Sequence, residues 1–367
     1  MVVKKCLQQA CIIIQNIVYL CKSILDEFHT VITSIILGAS GYAGAELLRI
    51  LSLRNDLRVE KVIAGSAAGR RVDELYPALA RQVSLTFESL DPRKIGGIDV
   101  AFVALPSGEA MNVVPALLQS TKHVIDLSGD FRLDSRNLYE QYYKHTHTAS
   151  HLLGKAVYGL PELNKELVAK ARLIANPGCY PTSAILALLP ALVHDLVSSH
   201  GIVINSLSGV SGAGRSASFD LSFTEINENV RAYRTTGHQH IPEIESVLSA
   251  ACGRDVTISF VPYLIPINRG IYTTVLADLN PKVTSSEVSN IYREYYEHAP
   301  FVRLKEQIPQ IRDVVNTNYC DIGLTIDSRA NKLMIISVID NLVKGAAGQA
   351  IQNMNIVFGL PETQGLQ

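Results

Sequence analysis

A short glycine-rich turn constrains this chain more than any other feature. Residues 34–37 (SIIL) read as a buried strand and run into Gly38-Ala-Ser40-Gly41-Tyr42-Ala-Gly44, which is followed by helical periodicity over 45–53. Glycines here let the backbone turn sharply and approach a pyrophosphate, whose charge then lies at the positive end of the helix. A glycine pattern alone is weak evidence. Set between a strand and a helix near a domain start, it predicts a dinucleotide-binding unit. The alternative is a tight structural turn. Further apolar runs at 59–64, 100–105 and 123–127 alternate with amphipathic stretches, which predicts a parallel sheet with helices on both faces.

The texture changes after a helix predicted over 181–194. Residues 202–207, 256–261, 270–279 and 332–339 are longer runs rich in β-branched residues. Few crossover helices separate them, so they predict a second, mostly antiparallel sheet. A helix rich in Ala and Gln is expected over 344–358. The fold class expected is α/β: a Rossmann-type dinucleotide-binding domain and an α+β domain with a mostly antiparallel sheet. The first takes residues 33–178 and returns at 344–367; the second takes 179–343.

Residues 1–32 read as an N-terminal extension. The stretch CIIIQNIVYLC at 11–21 is apolar, but Gln15 and Asn16 interrupt it and it is too short to span a bilayer. No small-residue cleavage site follows, and the segment lacks Arg, which argues against a transit peptide. A targeting segment remains the alternative.

Of 367 residues, 47% are hydrophobic and 18% charged, with a net charge of −1. Such a chain has ample core for two domains and no charge excess that favours a nucleic-acid or membrane partner. Of six cysteines, Cys6, Cys11 and Cys21 lie near the start, while Cys179, Cys252 and Cys320 are far apart. This is neither a disulfide framework nor a zinc pattern, so no metal is expected and the setting is a reducing cytoplasm.

An NAD site carries Asp or Glu at the end of its second strand to hold the ribose 2′-hydroxyl. This chain instead has Gly65-Ser66-Ala-Ala-Gly69-Arg70-Arg71, and the first acid is Asp73. A hydroxyl and forked guanidiniums suit a 2′-phosphate, which favours NADP, with solvated loop charges as the alternative.

The stretch Asn176-Pro-Gly178-Cys179-Tyr-Pro181 places a cysteine at a helix start. There the helix field stabilises a thiolate and lowers the thiol pKa. Cys252 and Cys320 fit the role of small buried apolar residues. A thiolate that attacks an acyl carbon needs a proton carrier. Gly237-His238-Gln-His240-Ile-Pro242-Glu243 offers two histidines, and Glu243 is spaced to orient an imidazole; both could instead be surface histidines.

Eight segments then follow in order: GASGYAGAELL (38–48), DLSGDFRL (126–133), NPGCYPT (176–182), SGVSGAGR (208–215), HQHIPEIE (238–245), NRGI (268–271), CDIG (320–323) and DNLVKGAAGQA (340–350). Together they resemble the N-acetyl-gamma-glutamyl-phosphate reductases, the arginine-biosynthesis branch of the semialdehyde dehydrogenase family. The resemblance runs from residue 34 to 367. It implies NADPH-dependent reduction of N-acetyl-L-glutamyl 5-phosphate to the 5-semialdehyde through a cysteine thioester, with release of phosphate.

By that resemblance Cys179 is the nucleophile. His240 is the acid/base, preferred to His238 because the family's catalytic histidine directly precedes x-Pro-Glu. Arg132 and Arg215 are substrate anion ligands, and Ser211, His238 and Glu243 join them. The alternative for Arg215 is an ion pair with Glu225 or another acid. Asn341 resembles the asparagine that holds the nicotinamide amide. Gly38, Ser40, Gly41, Tyr42, Gly44, Ser66 and Arg70 complete the cofactor set. The glycines of 345–348 let the last helix pack closely against the cofactor domain. A homodimer or homotetramer is implied. Two other functions are weighed against this: a related enzyme such as an aspartate-semialdehyde dehydrogenase, and a non-catalytic NADP sensor.

Overall fold

The computed structural model describes residues 31–91, 94–281 and 283–366. The extension expected over 1–32 lies outside them except for its last two residues. Ile32 belongs to the fold: it opens the first strand, is buried, and donates its N–H to the Asp56 carbonyl at 3.0 Å.

Among the described residues, β1 (Ile32–Leu37), β2 (Leu57–Ile63), β3 (Phe87–Glu88), β4 (Ile98–Val103), β5 (Thr121–Asp126), β6 (Val157–Tyr158) and β7 (Leu173–Ala175) form one sheet in the order β3-β2-β1-β4-β5-β7-β6. Every pairing in it is parallel. The helices α1 (Tyr42–Leu51), α2 (Ala110–Ser120), α3 (Arg136–Tyr143) and α4 (Pro161–Val168) punctuate it. Alternate strand residues feed opposite faces. Ile36, Val62 and Phe102 pack with Leu47 of α1, while Ile35, Leu37 and Val103 pack with Val114 and Leu117 of α2. Strands buried on both faces need apolar residues at successive positions, which is why they read as continuous runs.

The second sheet has the order β12 (Val302–Lys305), β13 (Cys320–Asp327), β14 (Lys332–Ile339), β11 (Ile271–Asp278), β8 (Ile202–Gly209), β10 (Ile258–Ile265), β9 (Arg231–Ala232). It is mixed. The central run is antiparallel, but β12 pairs parallel with β13 and β8 with β10. The β8–β10 pairing requires a long crossover, and that connection carries the histidines. Strand β13 is not evident in the sequence because Gly323 interrupts it. A Cβ there would come within 2.7 Å of Pro309 Cδ, so the packing requires the glycine.

One face of this sheet is covered by α5 (Cys179–Val193), α6 (His240–Cys252) and α7 (Ser285–Tyr295). Helix α5 is apolar on all sides and almost wholly buried, as such a helix must be. It begins two residues before the start expected at Pro181. The expected last helix has two parts: a π-helical turn, Val343–Ala347, and then α8 (Gly348–Val357). Ala350, Ile351 and Met354 of α8 join the core of the first sheet, so α8 returns to the first domain. Among the described residues, no helix is long and apolar enough to cross a membrane.

Candidate active site

Three distant segments meet at the start of α5. Gly178 has an ordinary φ of −67°, so the glycine is not there for backbone freedom. It is there because a Cβ would fall 2.6 Å from His240 Nε2 and 2.8 Å from Arg132 Nη1. Cys179 follows as the first residue of the helix. From the other side, a Cβ on Gly345 would lie 2.9 Å from Cys179 Cβ. The π-helical turn therefore packs against the Cys179 Cα and Cβ, a closer role for Gly345 than holding the last helix to the cofactor domain.

Arg132 is largely committed within the protein. Its Nε donates to the Asn176 carbonyl at 2.8 Å and its Nη2 to the Leu127 carbonyl at 2.7 Å. Its Nη1 lies 3.4 Å from Glu243 Oε2. The buried Glu243 accepts from the Gly178 N–H at 2.8 Å and from the Tyr158 hydroxyl at 2.9 Å, both at Oε1. The carboxylate expected to orient an imidazole thus holds the turn before Cys179 instead. His240 Nδ1 is buried without a hydrogen-bond partner.

Electrostatics set the protonation states. Burial, then the neighbouring His238 and Arg132, hold the His240 pKa well below its ordinary value, so the ring is neutral. Burial and Arg234 lower His238 to about 4. His238 Nδ1 accepts the His240 N–H at 3.1 Å, which puts the neutral ring's proton on Nε2. Burial pushes the Cys179 thiol up to about 11, against the pull of Arg132 and the Tyr180 N–H. This reverses the lowered value expected from the helix field alone: desolvation outweighs the helix start. The resting site holds a thiol beside a neutral imidazole.

Cys179, His240 and His238 border a cavity of about 600 Å³, together with Tyr233, Arg231 and Arg234. None of those last three stood out in the sequence, although they lie only a few residues before the histidine pair. Arg215 points elsewhere. Its Nη1 donates to the Ser40 carbonyl at 3.1 Å, and its guanidinium lies 5.5 Å from the centre of the Tyr76 ring. Tyr76 donates its hydroxyl to the same carbonyl at 2.6 Å. Arg215 thus rests on the glycine turn and not on Glu225. Ser211 and Asn341 are brought together: Asn341 Nδ2 donates to Ser211 Oγ at 2.9 Å, and Asn341 Oδ1 accepts the Gly270 N–H at 2.7 Å. Both brace the loop after β8 that carries Gly212 to the cavity wall.

The glycine turn fits a dinucleotide. Gly38 has φ +76°, and a Cβ on it would fall 2.2 Å from the Ala104 carbonyl oxygen. A Cβ on Gly44 would fall 2.5 Å from the Gly38 oxygen, so the helix packs on the turn only with glycine at both positions. Gly41 is the N-cap of α1 and no side chain caps it, which leaves the first N–H groups for an anion. Ser40 lies half-buried in the turn and Tyr42 is exposed beside it. Ser66 and Arg70 are exposed just past β2. Arg71, weighed with Arg70 as a phosphate ligand, forms a two-pronged pair with Asp73 at 2.8 and 2.7 Å.

Residues 34–171 match the family model of the semialdehyde dehydrogenase NAD-binding domain, and 179–341 match that of the semialdehyde dehydrogenase dimerisation domain. The chain is 48% identical to an N-acetyl-gamma-glutamyl-phosphate reductase of Pelotomaculum thermopropionicum, over 90% of this chain and 96% of that one. The chain belongs to the N-acetyl-gamma-glutamyl-phosphate reductase family of semialdehyde dehydrogenases. Relatives of the same name from Symbiobacterium thermophilum and Geobacter sulfurreducens are 47% and 46% identical, each over 90% of this chain and 96% and 97% of theirs. This member of the reductase family is therefore an oxidoreductase with a nicotinamide-dinucleotide domain. The solved aspartate semialdehyde dehydrogenase II of Vibrio cholerae, complexed with ASA, shares its fold with a TM-score of 0.68 at 17% identity, over 89% of this chain and 98% of that one. The Candida albicans aspartate semialdehyde dehydrogenase with NADP does so with a TM-score of 0.64 at 15% identity, over 90% and 99%.

Proposed function

We propose that this reductase-family chain converts N-acetyl-L-glutamyl 5-phosphate to N-acetyl-L-glutamate 5-semialdehyde, with NADPH as reductant, in arginine biosynthesis. The observation that carries this reading is the meeting of Cys179 and His240 at Gly178, on the wall of one cavity.

Neutral His240 accepts the Cys179 proton at Nε2 as the sulfur attacks the acyl carbon. The bond between the acyl carbon and the phosphate oxygen breaks, phosphate leaves with a solvent proton, and a thioester remains on Cys179. NADPH, when bound, supplies hydride to the thioester carbon. The resulting thiohemiacetal oxyanion collapses, the carbon–sulfur bond breaks, and His240 returns its proton to the sulfur. In this mechanism backbone N–H groups at the start of α5, where no side chain caps the helix, stabilise the oxyanions. Arg132 and Glu243 hold the turn that presents the thiol, and His238 caps the helix that presents His240.

The exposed Ser66 and Arg70, with no carboxylate at the end of β2, favour a 2′-phosphate and hence NADP over NAD. Gly38, Ser40, Gly41, Tyr42 and Gly44 take the pyrophosphate. The face of the second sheet turned away from α5 and α6 carries Val203, Leu207, Tyr272 and Leu276, half-buried and paired across β8 and β11. With 179–341 matched as a dimerisation domain, that face is assigned to a second copy, in a homodimer or a tetramer of such dimers. A chemistry that needs a free Cys179 thiol fits a reducing cytoplasm.

The test is phosphate-dependent reduction of NADP⁺ by N-acetyl-L-glutamate 5-semialdehyde, run beside NAD⁺ and aspartate semialdehyde. Turnover that requires phosphate and prefers NADP⁺ and the acetylated substrate is the expected result. Preference for aspartate semialdehyde would move the substrate and keep the mechanism. NADP binding without turnover of any semialdehyde would leave the sensor reading.

A further inference from the structure

The substrate proposed above carries two anionic groups, an acyl phosphate and a carboxylate, and this inference rests on that reading. The arginines first expected to hold them are occupied. Arg132 has two donors on backbone carbonyls and a third toward Glu243. Arg215 reaches away to Ser40. The arginines that border the Cys179 cavity are Arg231 and Arg234.

These two differ in what balances them. Arg231 donates to the Asp220 carbonyl at 2.9 Å and lies 3.7 Å from its carboxylate, so its charge is partly compensated. Arg234 donates to Gln239 Oε1 at 2.9 Å, and among the described residues no carboxylate pairs with it. A cation hydrogen-bonded to a neutral amide in a substrate cavity has charge left for an anion. Its backbone has φ +46°, a left-handed conformation that side chains with a Cβ disfavour and that recurs where a ligand is gripped. Gln239 directly precedes His240, so a group held by Arg234 is registered to the base.

We propose that Arg234 binds the carboxylate of the substrate, with Arg231 beside it. The phosphate is bonded to the carbon that Cys179 attacks, so it must lie deep, at the Gly178 turn. Arg234 is exposed, which suits the carboxylate, remote from the reacting carbon. Specificity for an acyl phosphate that carries a carboxylate over a simple acyl phosphate follows from this contact.

The test is steady-state oxidation of N-acetylglutamate semialdehyde by the full chain carrying Arg234→Asn, beside the analogue whose carboxylate is a carboxamide. Asn tolerates the left-handed backbone, so the loop keeps its shape. The expected result is a loss of about 10- to 150-fold in kcat/KM, the range for a hydrogen bond to a charged group, carried by KM. NADPH affinity should not change, and the variant should show no further loss on the carboxamide. Unchanged KM, or an equal loss on both substrates, would overturn the assignment. A wild-type chain that turns over neither substrate would overturn the function beneath it; an active wild type with an unaffected variant overturns this inference alone.

Discussion

Glu243 accepts the backbone N–H of Gly178 at 2.8 Å across 65 residues of sequence. The helix that carries His240 is thereby bonded to the turn that presents Cys179. The same carboxylate faces Arg132, whose other donors hold the Asn176 and Leu127 carbonyls. Cys179 and His240, the proposed nucleophile and base, are placed by one buried ion pair.

Removing that carboxylate should cost stability before chemistry. Glu243→Ala leaves Arg132 buried without a counter-charge and is expected to destabilise the fold by about 3–5 kcal/mol. Glu243→Gln should lose less, since its amide oxygen still accepts from Gly178. Urea unfolding of the two variants checks the order.

Gly178→Ala should act on catalysis instead. The added carbon needs room now held by His240 Nε2 and Arg132 Nη1. Displacing His240, the proposed base, by about 1 Å is expected to lower kcat on the order of 100-fold, while NADPH binding persists. Gly345→Ala, whose Cβ would press on Cys179, should behave alike. Wild-type kcat in both would remove the packing argument.

Cys179→Ser should abolish phosphate-dependent turnover and leave NADPH affinity unchanged. His240→Asn should reduce kcat by about 10²- to 10⁴-fold, the usual worth of general acid–base catalysis. His238→Asn should do less, because its ring caps a helix. Rapid-quench detection of the acyl-enzyme separates the two steps. A larger loss at His238 would exchange the roles.

The pH dependence has a defined direction. His240 is the proposed base, and its surroundings hold its pKa well below the ordinary value. The acid limb of kcat/KM should therefore fall below about pH 6.5, the unperturbed histidine value. Stability should follow. Below pH 6.5 the unfolded chain binds protons at these histidines that the folded chain does not. Folding stability is fully present above that pH. It declines as pH falls toward the His238 value of about 4. Thermal melts between pH 4 and 8 measure it.

Arg215→Ala should weaken NADPH and spare the semialdehyde. The side chain rests on the Ser40 carbonyl and Tyr76, at the turn assigned to the pyrophosphate. NADPH fluorescence titration should show weaker binding with an unchanged KM for the semialdehyde. The opposite pattern would return Arg215 to the substrate.

Much of this protein is local in origin. A strand followed by Gly38, Gly41 and Gly44, a cysteine after Asn-Pro-Gly, and two histidines ahead of Pro242 are legible because backbone sterics and helix starts depend on neighbours in the chain. The parallel sheet is legible for the same reason, since strands buried on both faces need unbroken apolar runs. Strand β13 is not, because Gly323 answers to Pro309, a contact made only by folding.

Tertiary structure decided how the charges are used. Arg132, Arg215, Arg231 and Arg234 are indistinguishable as letters, and only their partners separate them. One is bound to carbonyls and Glu243, one lies on the cofactor turn, one faces Asp220, and one carries a charge that no described carboxylate balances. The Cys179 thiol shows the same division. The sequence by itself determined that it begins a helix, a matter of neighbouring residues. Its pKa is a contest between that helix and desolvation, and desolvation is set by groups brought from the loop after β5, from α6 and from the π-helical turn.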